Sequence, residues 1–333
     1  MRTLRDRDLA ARRRWLLAAA AGLGLAAAPT ARAQAWPSRP IRIVVGYPAG
    51  GLTDLFARAY GEFIGQKLGQ PVVVENRTGA GGSLAAQAVK AAAPDGYTLM
   101  FTISTTMLMN RVLYKNPGYD ADNDFELISM MSAGHLPLVV SKNVPVNNLK
   151  EFAEYARRNK VAIGTYAAGS YSHVAVAELN RHFGLQMEAV HYRGEAPMWQ
   201  DLAAGVIQAA SGSIVAAAPV LQSGAGKMLA VPTRQRNKAF PDVPTFWEEG
   251  LQLRAFEVEG FICLVGPKGI PEDILDRLSS LMVEGGKSER VQKILTASYI
   301  DTAAIGRQEF RKIYDRDGPV WIELVRSLGV TPQ

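Results

Sequence analysis

Short strand patterns alternate with helical patterns along most of this sequence, joined by turn-rich loops. A run rich in β-branched residues, Ile41–Val45, leads through a Gly/Pro loop into a helical pattern at 54–68, which Gly69 ends. The order repeats with strands at 71–75, 97–103, 161–166, 186–192 and 227–232, and helices at 83–93, 149–158, 172–183 and 308–328, the last interrupted by Gly318-Pro319. This alternation predicts an α/β protein with mostly parallel sheets flanked by helices.

The length of the chain predicts two lobes. About 300 residues exceed one comfortable hydrophobic core, and no flexible linker or repeat interrupts the pattern. We therefore expect two lobes joined by crossing strands, near 137–141 and 257–261, that act as a hinge. The predicted bounds are 34–138 plus 259–333 for lobe 1 and 139–258 for lobe 2.

The first 33 residues have the pattern of a removable export signal. A basic stretch ends in Arg12-Arg13-Arg14, an apolar segment follows at 15–28, and Ala31-Arg32-Ala33 offers a small-residue cleavage site. The apolar segment is short for a membrane span. The paired arginines favour the twin-arginine route, although Sec export fits the same pattern. We expect cleavage near Ala33 and a periplasmic, soluble mature protein.

The predicted leader accounts for most of the net positive charge. It contains seven Arg and two Asp, so 30 of the 37 basic and 29 of the 31 acidic residues remain after cleavage. A nearly neutral remainder argues against a nucleic-acid partner, which would need a strongly basic surface.

Two glycine-rich loops, 47–54 and 78–83, each follow a predicted strand and open a predicted helix. Small residues let a ligand approach backbone N–H groups, and a helix N-terminus favours an anion. Each loop alone could be an ordinary turn, with Thr53, Asp54 or Ser83 capping the helix. Two such loops at the carboxyl edge of one sheet favour an anion site. Neither loop has a nucleotide-binding signature.

Polar residues after two further strands could complete a cleft. Ser104, Thr105 and Thr106 follow the third strand of lobe 1, and Gly169, Ser170, Ser172 and His173 follow a strand of lobe 2. These residues could equally cap helices, and for Ser172 and His173 the sequence leaves the two interpretations open.

Catalytic motifs are absent from the sequence. It has no Gly-x-Ser-x-Gly and no His-Glu-x-x-His, and its four histidines show no helical pairing with acids. The single cysteine, Cys263, lies in an apolar run and is predicted to be a buried thiol. We expect no enzyme activity, no metal and no cofactor.

Short motifs cover most of the chain after the leader: 36–41, the Pro48-Ala49-Gly50-Gly51 loop with Asp54, 72–77, 79–82, 93–99, Tyr119-Asp120, Asp124-Phe125, 192–194, 241–245 and Glu249-Gly250. Together they resemble the motifs of the Bug family of tripartite tricarboxylate transporter (TctC-like) substrate-binding proteins.

The resemblance implies a Venus-flytrap fold that closes on a small carboxylate. The protein is expected to be a monomer that delivers this ligand to membrane permease subunits. It implies ligand contacts at Ala49, Gly50, Asp54, Ala80 and Gly81, and less firmly at Ser104, Gly169, Ser170, Ser172, His173 and Arg193. With the residue-based candidates, the predicted ligand-binding set is Tyr47, Ala49, Gly50, Thr53, Asp54, Ala80, Gly81, Ser104, Thr105, Gly169, Ser170, Ser172, His173, Arg193 and Ser213.

The sequence departs from the family pattern at Ser211-Gly212-Ser213, where members often have an acidic or amide residue. A small, neutral wall there would suit an aromatic or longer acid better than an amino acid. The expected function is uptake of a di- or tricarboxylate or an aromatic acid. A sensor that docks onto a membrane kinase is the alternative, and a periplasmic hydrolase is a weaker one.

Overall fold

The computed structural model describes residues 36–134, 136–237 and 239–333, and the predicted leader lies outside them. Its first sheet has six strands in the order β11-β4-β10-β3-β1-β2. Their bounds are β1 Ile41–Val45, β2 Val72–Asn76, β3 Thr98–Ile103, β4 Phe125–Ser132, β10 Phe261–Pro267 and β11 Ile305–Gly306.

The second sheet is built from the middle of the chain, in the order β7-β6-β8-β5-β9. Its strands are β5 Leu138–Ser141, β6 Ala162–Thr165, β7 Glu188–His191, β8 Ala209–Ser211 and β9 Gly226–Ala230. The two sheets with their helices confirm the predicted two-sheet α/β class.

Helices follow most strands. They are α1 Leu52–Leu68, α2 Ser83–Lys90, α3 Asn110–Leu113, α4 Leu149–Arg158, α5 Tyr171–Phe183, α6 Glu195–Ala204, α7 Ile214–Gln222, α8 Glu272–Gly285, α9 Glu289–Ser298 and α10 Arg307–Ser327. Short turns of other helical types occupy Ala80–Gly82, Thr105–Met109 and Arg254–Phe256.

Strand direction corrects one detail of the prediction, because both sheets are mixed. β1 pairs in parallel with β2 and β3, and β6 with β7 and β8. β10 runs antiparallel to β3 and β4, and β5 runs antiparallel to β8 and β9. β5 and β10 are the first strands that the chain forms after it passes from one sheet to the other. Each runs opposite to the strands on both sides of it.

The passages between the sheets lie close to the predicted ones. The chain leaves β4 at Ser132 and enters β5 at Leu138, so 137–141 is mostly second-sheet strand and the passage itself precedes it. It returns between β9 and β10, where the Ala133 N–H donates to the Gly260 carbonyl at 2.9 Å. The predicted lobe bounds stay a proposal.

The predicted break at Gly318-Pro319 is wrong, because α10 continues through it. Proline removes one backbone hydrogen bond from a helix interior. Tyr314 and Trp321, which flank the proline, are 5% and 0% exposed. Burial of these large aromatic side chains offsets the missing bond.

The largest fully buried side chains include Trp321, Tyr60, Phe56, Phe101 and Phe125. Cys263 is also fully buried, as predicted for a strand thiol. Among the described helices, none has the length and apolarity needed to cross a bilayer.

Candidate functional site

A cavity of about 320 Å³ lies between loops of the two sheets. The first sheet contributes the loop after β1 and the end of β3, and the second contributes the starts of α6 and α7. The residues that line it are Tyr47, Pro48, Ala49, Gly50, Gly51, Leu52, Thr53, Ile103, Ser104, Ala133, Leu136, Tyr166, Arg193, Gly194, Glu195, Ala196, Pro197, Ser213, Ala216, Gly260, Phe261 and Ile262. Apolar walls with a few convergent polar groups are typical of a small-molecule site.

A larger depression of about 690 Å³ lies along α1 and β2, but it is open to solvent. None of the predicted site residues lines it. The cavity between the sheets is therefore the stronger candidate.

Seven of the predicted site residues line the inter-sheet cavity. They are Tyr47, Ala49, Gly50, Thr53, Ser104, Arg193 and Ser213. The other eight lie outside its wall: Asp54, Ala80, Gly81, Thr105, Gly169, Ser170, Ser172 and His173. Direct ligand contact by any of the fifteen stays a prediction.

Asp54 supports the first loop from behind. It is 2% exposed, and its carboxylate accepts hydrogen bonds from the Gly50 N–H at 3.0 Å, Arg58 Nε at 3.0 Å and Asn76 Nδ2 at 2.8 Å. Burial alone would raise the pKa of Asp54, but these hydrogen bonds and the Arg58 charge outweigh it and lower the pKa. An ionised Asp54 thus fixes Gly50, whose φ of +83° favours glycine.

The first turn of α1 opens into the cavity without a side-chain cap. Its N-cap is Gly51, and the next two residues, Leu52 and Thr53, line the cavity. The first N–H groups of a helix have no partner within the helix and carry partial positive charge. The side chain of Asp54, also in this turn, accepts from Gly50. The arrangement presents backbone donors suited to an anion.

The second glycine-rich loop lies behind Tyr47. Gly79, Ala80, Gly81 and Gly82 all have positive φ, from +46° to +132°. This run aims the Gly81 carbonyl at three side-chain donors: Tyr47 Oη at 3.1 Å, Thr106 Oγ1 at 2.9 Å and Asn110 Nδ2 at 3.0 Å. The loop therefore supports the cavity wall through Tyr47, an indirect role that the sequence did not indicate.

The loop after β6 is tied together by capping. Ser170 is the N-cap of α5, its hydroxyl donates to the Ala167 carbonyl at 2.7 Å, and it lies 2.9 Å from Ser172 Oγ. His173 Nδ1 accepts from the Gly169 N–H at 3.0 Å. The sequence leaves open whether these residues complete a ligand cleft or cap a helix, and the contacts observed here are those of a helix cap. Thr105 is also buried, and its hydroxyl has no hydrogen-bond partner among the described residues.

Two histidines pack together behind this loop. The ring centroids of His173 and His191 are 4.3 Å apart, and His191 Nδ1 lies 2.7 Å from Thr165 Oγ1. Burial, followed by the neighbouring His191, lowers the pKa of His173 to about 4. His173 is therefore neutral at physiological pH.

The expectation of a neutral far wall is wrong, because Glu195 lies against it. Glu195 begins α6 and lines the cavity. Its Oε1 accepts from the Ser213 N–H at 2.6 Å and its Oε2 from the Ser213 hydroxyl at 2.5 Å. Burial raises the pKa of Glu195, and the two Ser213 hydrogen bonds oppose this rise. Glu195, at the start of α6, lies 18 residues before the serine that it contacts, so the sequence around Ser213 does not reveal the acid.

The remaining missed residues are mainly apolar. Their positions reflect which loops the two sheets bring together, so no local motif marks them; they include Leu136, Tyr166, Pro197, Ala216, Phe261 and Ile262. Within the described ranges, no group of three or more His, Cys, Asp or Glu side chains could hold a metal ion.

Two mixed α/β sheets that enclose a cavity between their loops define a two-lobed solute-binding protein. A family model described as "Tripartite tricarboxylate transporter family receptor" matches residues 56–330, and the chain belongs to this family. The resemblance to the Bug proteins is thereby confirmed. The family consists of periplasmic solute-binding receptors that work with transporter permeases, and it is not an enzyme family.

Relatives and solved structures agree with this assignment. A Bordetella bronchiseptica protein of the UPF0065 group is 33% identical over 304 residues, covering 86% of this chain and 88% of the relative. BugT of Bordetella pertussis is 30% identical, covering 91% of this chain and 93% of BugT.

Two structures were solved with acids. R. palustris Rpa4515 with adipate has a TM-score of 0.82 at 28% identity, covering 90% of this chain and 100% of that one. MatC from Rhodopseudomonas palustris with bound malate has a TM-score of 0.77 at 29% identity, covering 87% and 100%.

Proposed function

We propose that this protein captures a small carboxylic acid in the cavity between its lobes and delivers it to the permease of a tripartite uptake system. The acid is a di- or tricarboxylate or an aromatic acid. The observation that carries the proposal is the uncapped first turn of α1, which opens into an enclosed cavity at Leu52 and Thr53. The adipate and malate in the structures of similar proteins support the same ligand class.

The ligand carboxylate is bound by backbone N–H groups of the segment 49–53. The Gly50 N–H already donates to Asp54 and the Gly51 N–H to the Pro48 carbonyl, so the donors left for the ligand are those of Ala49, Leu52 and Thr53. The ligand body lies against apolar residues from both walls, such as Leu52 and Phe261 from the first and Pro197 from the second. The role of Arg193, at the same cavity, is to add positive charge.

The protein acts as a monomer in the periplasm after cleavage near Ala33, and it binds its ligand without chemical change. The family assignment and the leader pattern support this placement. Intact mass of the exported protein tests the cleavage: a start near Gln34 is expected, and a mature chain that still carries Arg12 and Arg13 contradicts it.

The carboxylate site is tested by comparing an acid with its ester. A thermal-shift screen against adipate, malate, benzoate and 4-hydroxybenzoate selects the ligand, and calorimetry compares it with the methyl ester of the carboxylate. Charge-assisted hydrogen bonds are worth roughly 1.5 to 3 kcal/mol each, so the ester should bind at least about tenfold more weakly. An ester that binds as tightly as the acid would show that no anion site operates here.

The variant Gly51→Val tests whether the ligand carboxylate binds at the first turn of α1. Gly51 has φ −75° and ψ 165°, which a branched residue adopts, so the new side chain fills the cavity wall without backbone strain. Gly306→Val is the matched control, because Gly306 is also an N-cap, with φ −76° and ψ 168°, and does not line the cavity. Binding should be lost in the first variant and kept in the second.

A further inference from the structure

Glu195 places a carboxylate on the second-lobe wall of a cavity that is otherwise mostly apolar. Three side chains, those of Glu195, Met198 and Trp199, converge on Gly212. A Cβ built there would lie 2.9 Å from Glu195 Oε1, 2.9 Å from Met198 Cε and 3.0 Å from Trp199 Cζ2. The Glu195 carboxylate therefore packs against the Gly212 backbone, with no room for a methyl group between them.

Ser213 fixes both Glu195 oxygens as acceptors. The backbone N–H of Ser213 can only donate, and it contacts Oε1. As the N-cap of α7, the Ser213 hydroxyl accepts from the Ala216 N–H, so its single proton goes to Oε2. Burial raises the pKa of Glu195, but the two hydrogen bonds that it accepts and its position at the N-terminus of α6 favour the ionised carboxylate, which keeps lone pairs to spare.

In the part of the chain that the structure describes, no basic side chain lies within ion-pair distance of this carboxylate. Among the ion pairs of the described residues, none includes Glu195, although Arg193 lines the same cavity. A carboxylate that is half-buried without a cation is costly unless donors satisfy it. Ser213 supplies two donors, and the ligand is the remaining source.

We propose that Glu195 selects the ligand: the bound acid carries an O–H or N–H donor where it lies against the second lobe, and a second carboxylate there is disfavoured. The inference rests on the proposed function, in which the first-lobe loop binds the ligand's carboxylate. Among small carboxylic acids, it favours hydroxy- or amino-substituted monocarboxylic acids, such as hydroxylated aromatic acids, over the di- and tricarboxylates that the proposed function also includes. A dicarboxylate would place like charges together in a poorly solvated cavity.

Two matched sets of acids test the selection, each with the same anchoring carboxylate. The aromatic set is benzoate, 4-hydroxybenzoate and terephthalate, and the aliphatic set is hexanoate, 6-hydroxyhexanoate and adipate. Calorimetry at pH 7.5 measures each dissociation constant. In the set that fits the cavity, the hydroxy acid should bind at least about tenfold more tightly than the unsubstituted acid and the diacid.

The variant Glu195→Gln tests whether Glu195 causes the preference for the hydroxy acid. The amide has the same shape without the charge, so the advantage of the hydroxy acid over the diacid should fall at least about tenfold. A diacid that binds wild-type protein as tightly as the hydroxy acid overturns the inference, and so does a preference that survives Glu195→Gln. If the variant does not fold, the wild-type series alone decides.

The same measurements distinguish a failure of the proposed function from a failure of the selection by Glu195. If methyl esterification of the anchoring carboxylate leaves affinity unchanged, the first-lobe anion site is refuted whatever the ranking of the acids. If esterification abolishes binding while hydroxy acid and diacid bind equally, only the selection by Glu195 is refuted.

Discussion

The Tyr47 hydroxyl lies 3.1 Å from the Gly81 carbonyl, so the two glycine-rich loops are joined through a side chain of the cavity wall. The hydroxyl is also 3.1 Å from Thr106 Oγ1, which itself donates to the Gly81 carbonyl at 2.9 Å. Burial raises the pKa of Tyr47, which keeps the hydroxyl protonated and able to donate. The second loop thus determines where one wall of the cavity stands.

Tyr47→Phe should destabilise the protein by about 0.5 to 1.5 kcal/mol, because it removes one of three donors to the Gly81 carbonyl while keeping the ring. Urea unfolding measures the change. Tyr155→Phe is the control, since the Tyr155 hydroxyl has no hydrogen bond among the described residues and its loss should cost nothing measurable. Equal effects in the two variants would show that the Tyr47–Gly81 contact contributes nothing to stability.

Gly81→Ala should cost more stability than Gly184→Ala, although both glycines have φ near +60°. An alanine in that region costs roughly 1 to 2 kcal/mol at either site. At Gly184 the new Cβ has open space, whereas at Gly81 it lies 2.9 Å from Asn110 Oδ1. Asn110 cannot easily yield, because its amide also bonds Ser83 and Tyr119.

Thermal unfolding and ligand titration of both glycine variants provide the test. We expect Gly81→Ala to lose affinity as well, because Tyr47 leaves its position, and Gly184→Ala to bind normally. A Gly81 variant that is no less stable than the Gly184 variant would contradict the assigned packing of this loop.

Asp54→Asn should lower stability at pH 7 by about 1 to 3 kcal/mol, because Asp54 is buried and its charge is paired with Arg58. The folded-state pKa of Asp54 lies below its ordinary 3.8, so its stabilisation is present above pH 3.8 and is lost as the pH falls through the folded-state value. The difference between wild type and variant should therefore shrink in acid. Asp301→Asn, at an exposed carboxylate, should show neither effect in melts from pH 7 to 3.

The architecture could be predicted because its signals are local. The short apolar runs at Ile41–Val45 and Thr98–Ile103 are bounded by turn residues, and their length and neighbouring residues are enough to predict strands. The site depends on contacts between loops that are far apart in the sequence, and local sequence patterns do not predict such contacts. Glu195 and Ser213 meet because α6 and α7 start at the same edge of the second sheet, and neither residue carries a local motif that says so. Similarly, Gly318-Pro319 predicts a break that tertiary burial of Trp321 prevents.

His173 should make the protein less stable as the pH falls from 7 to 5. Its pKa is about 4 when folded and 6.5 when exposed, so the unfolded chain binds the proton first, and stability is lost progressively below pH 6.5. The expected loss over this range is roughly 1 to 2 kcal/mol. His173→Asn keeps an acceptor for the Gly169 N–H and should show a smaller loss in urea unfolding at the two pH values. An equal loss of stability in both proteins would show that a group other than His173 causes the pH dependence.

Ligand binding should close the lobes. The two walls already approach one another at one point, where a Cβ built on Gly194 would lie 3.4 Å from Pro48 Cγ. The lobes are joined between β4 and β5 and again near Gly260, and a rotation of one lobe against the other is expected at such short connections. A ligand that contacts both walls favours the closed arrangement by the difference in its affinity for the closed and open states. Solution scattering should show a smaller radius of gyration at saturation with the best acid, and no change with its methyl ester. An unchanged curve at saturation would mean that the cavity fills without movement of the lobes.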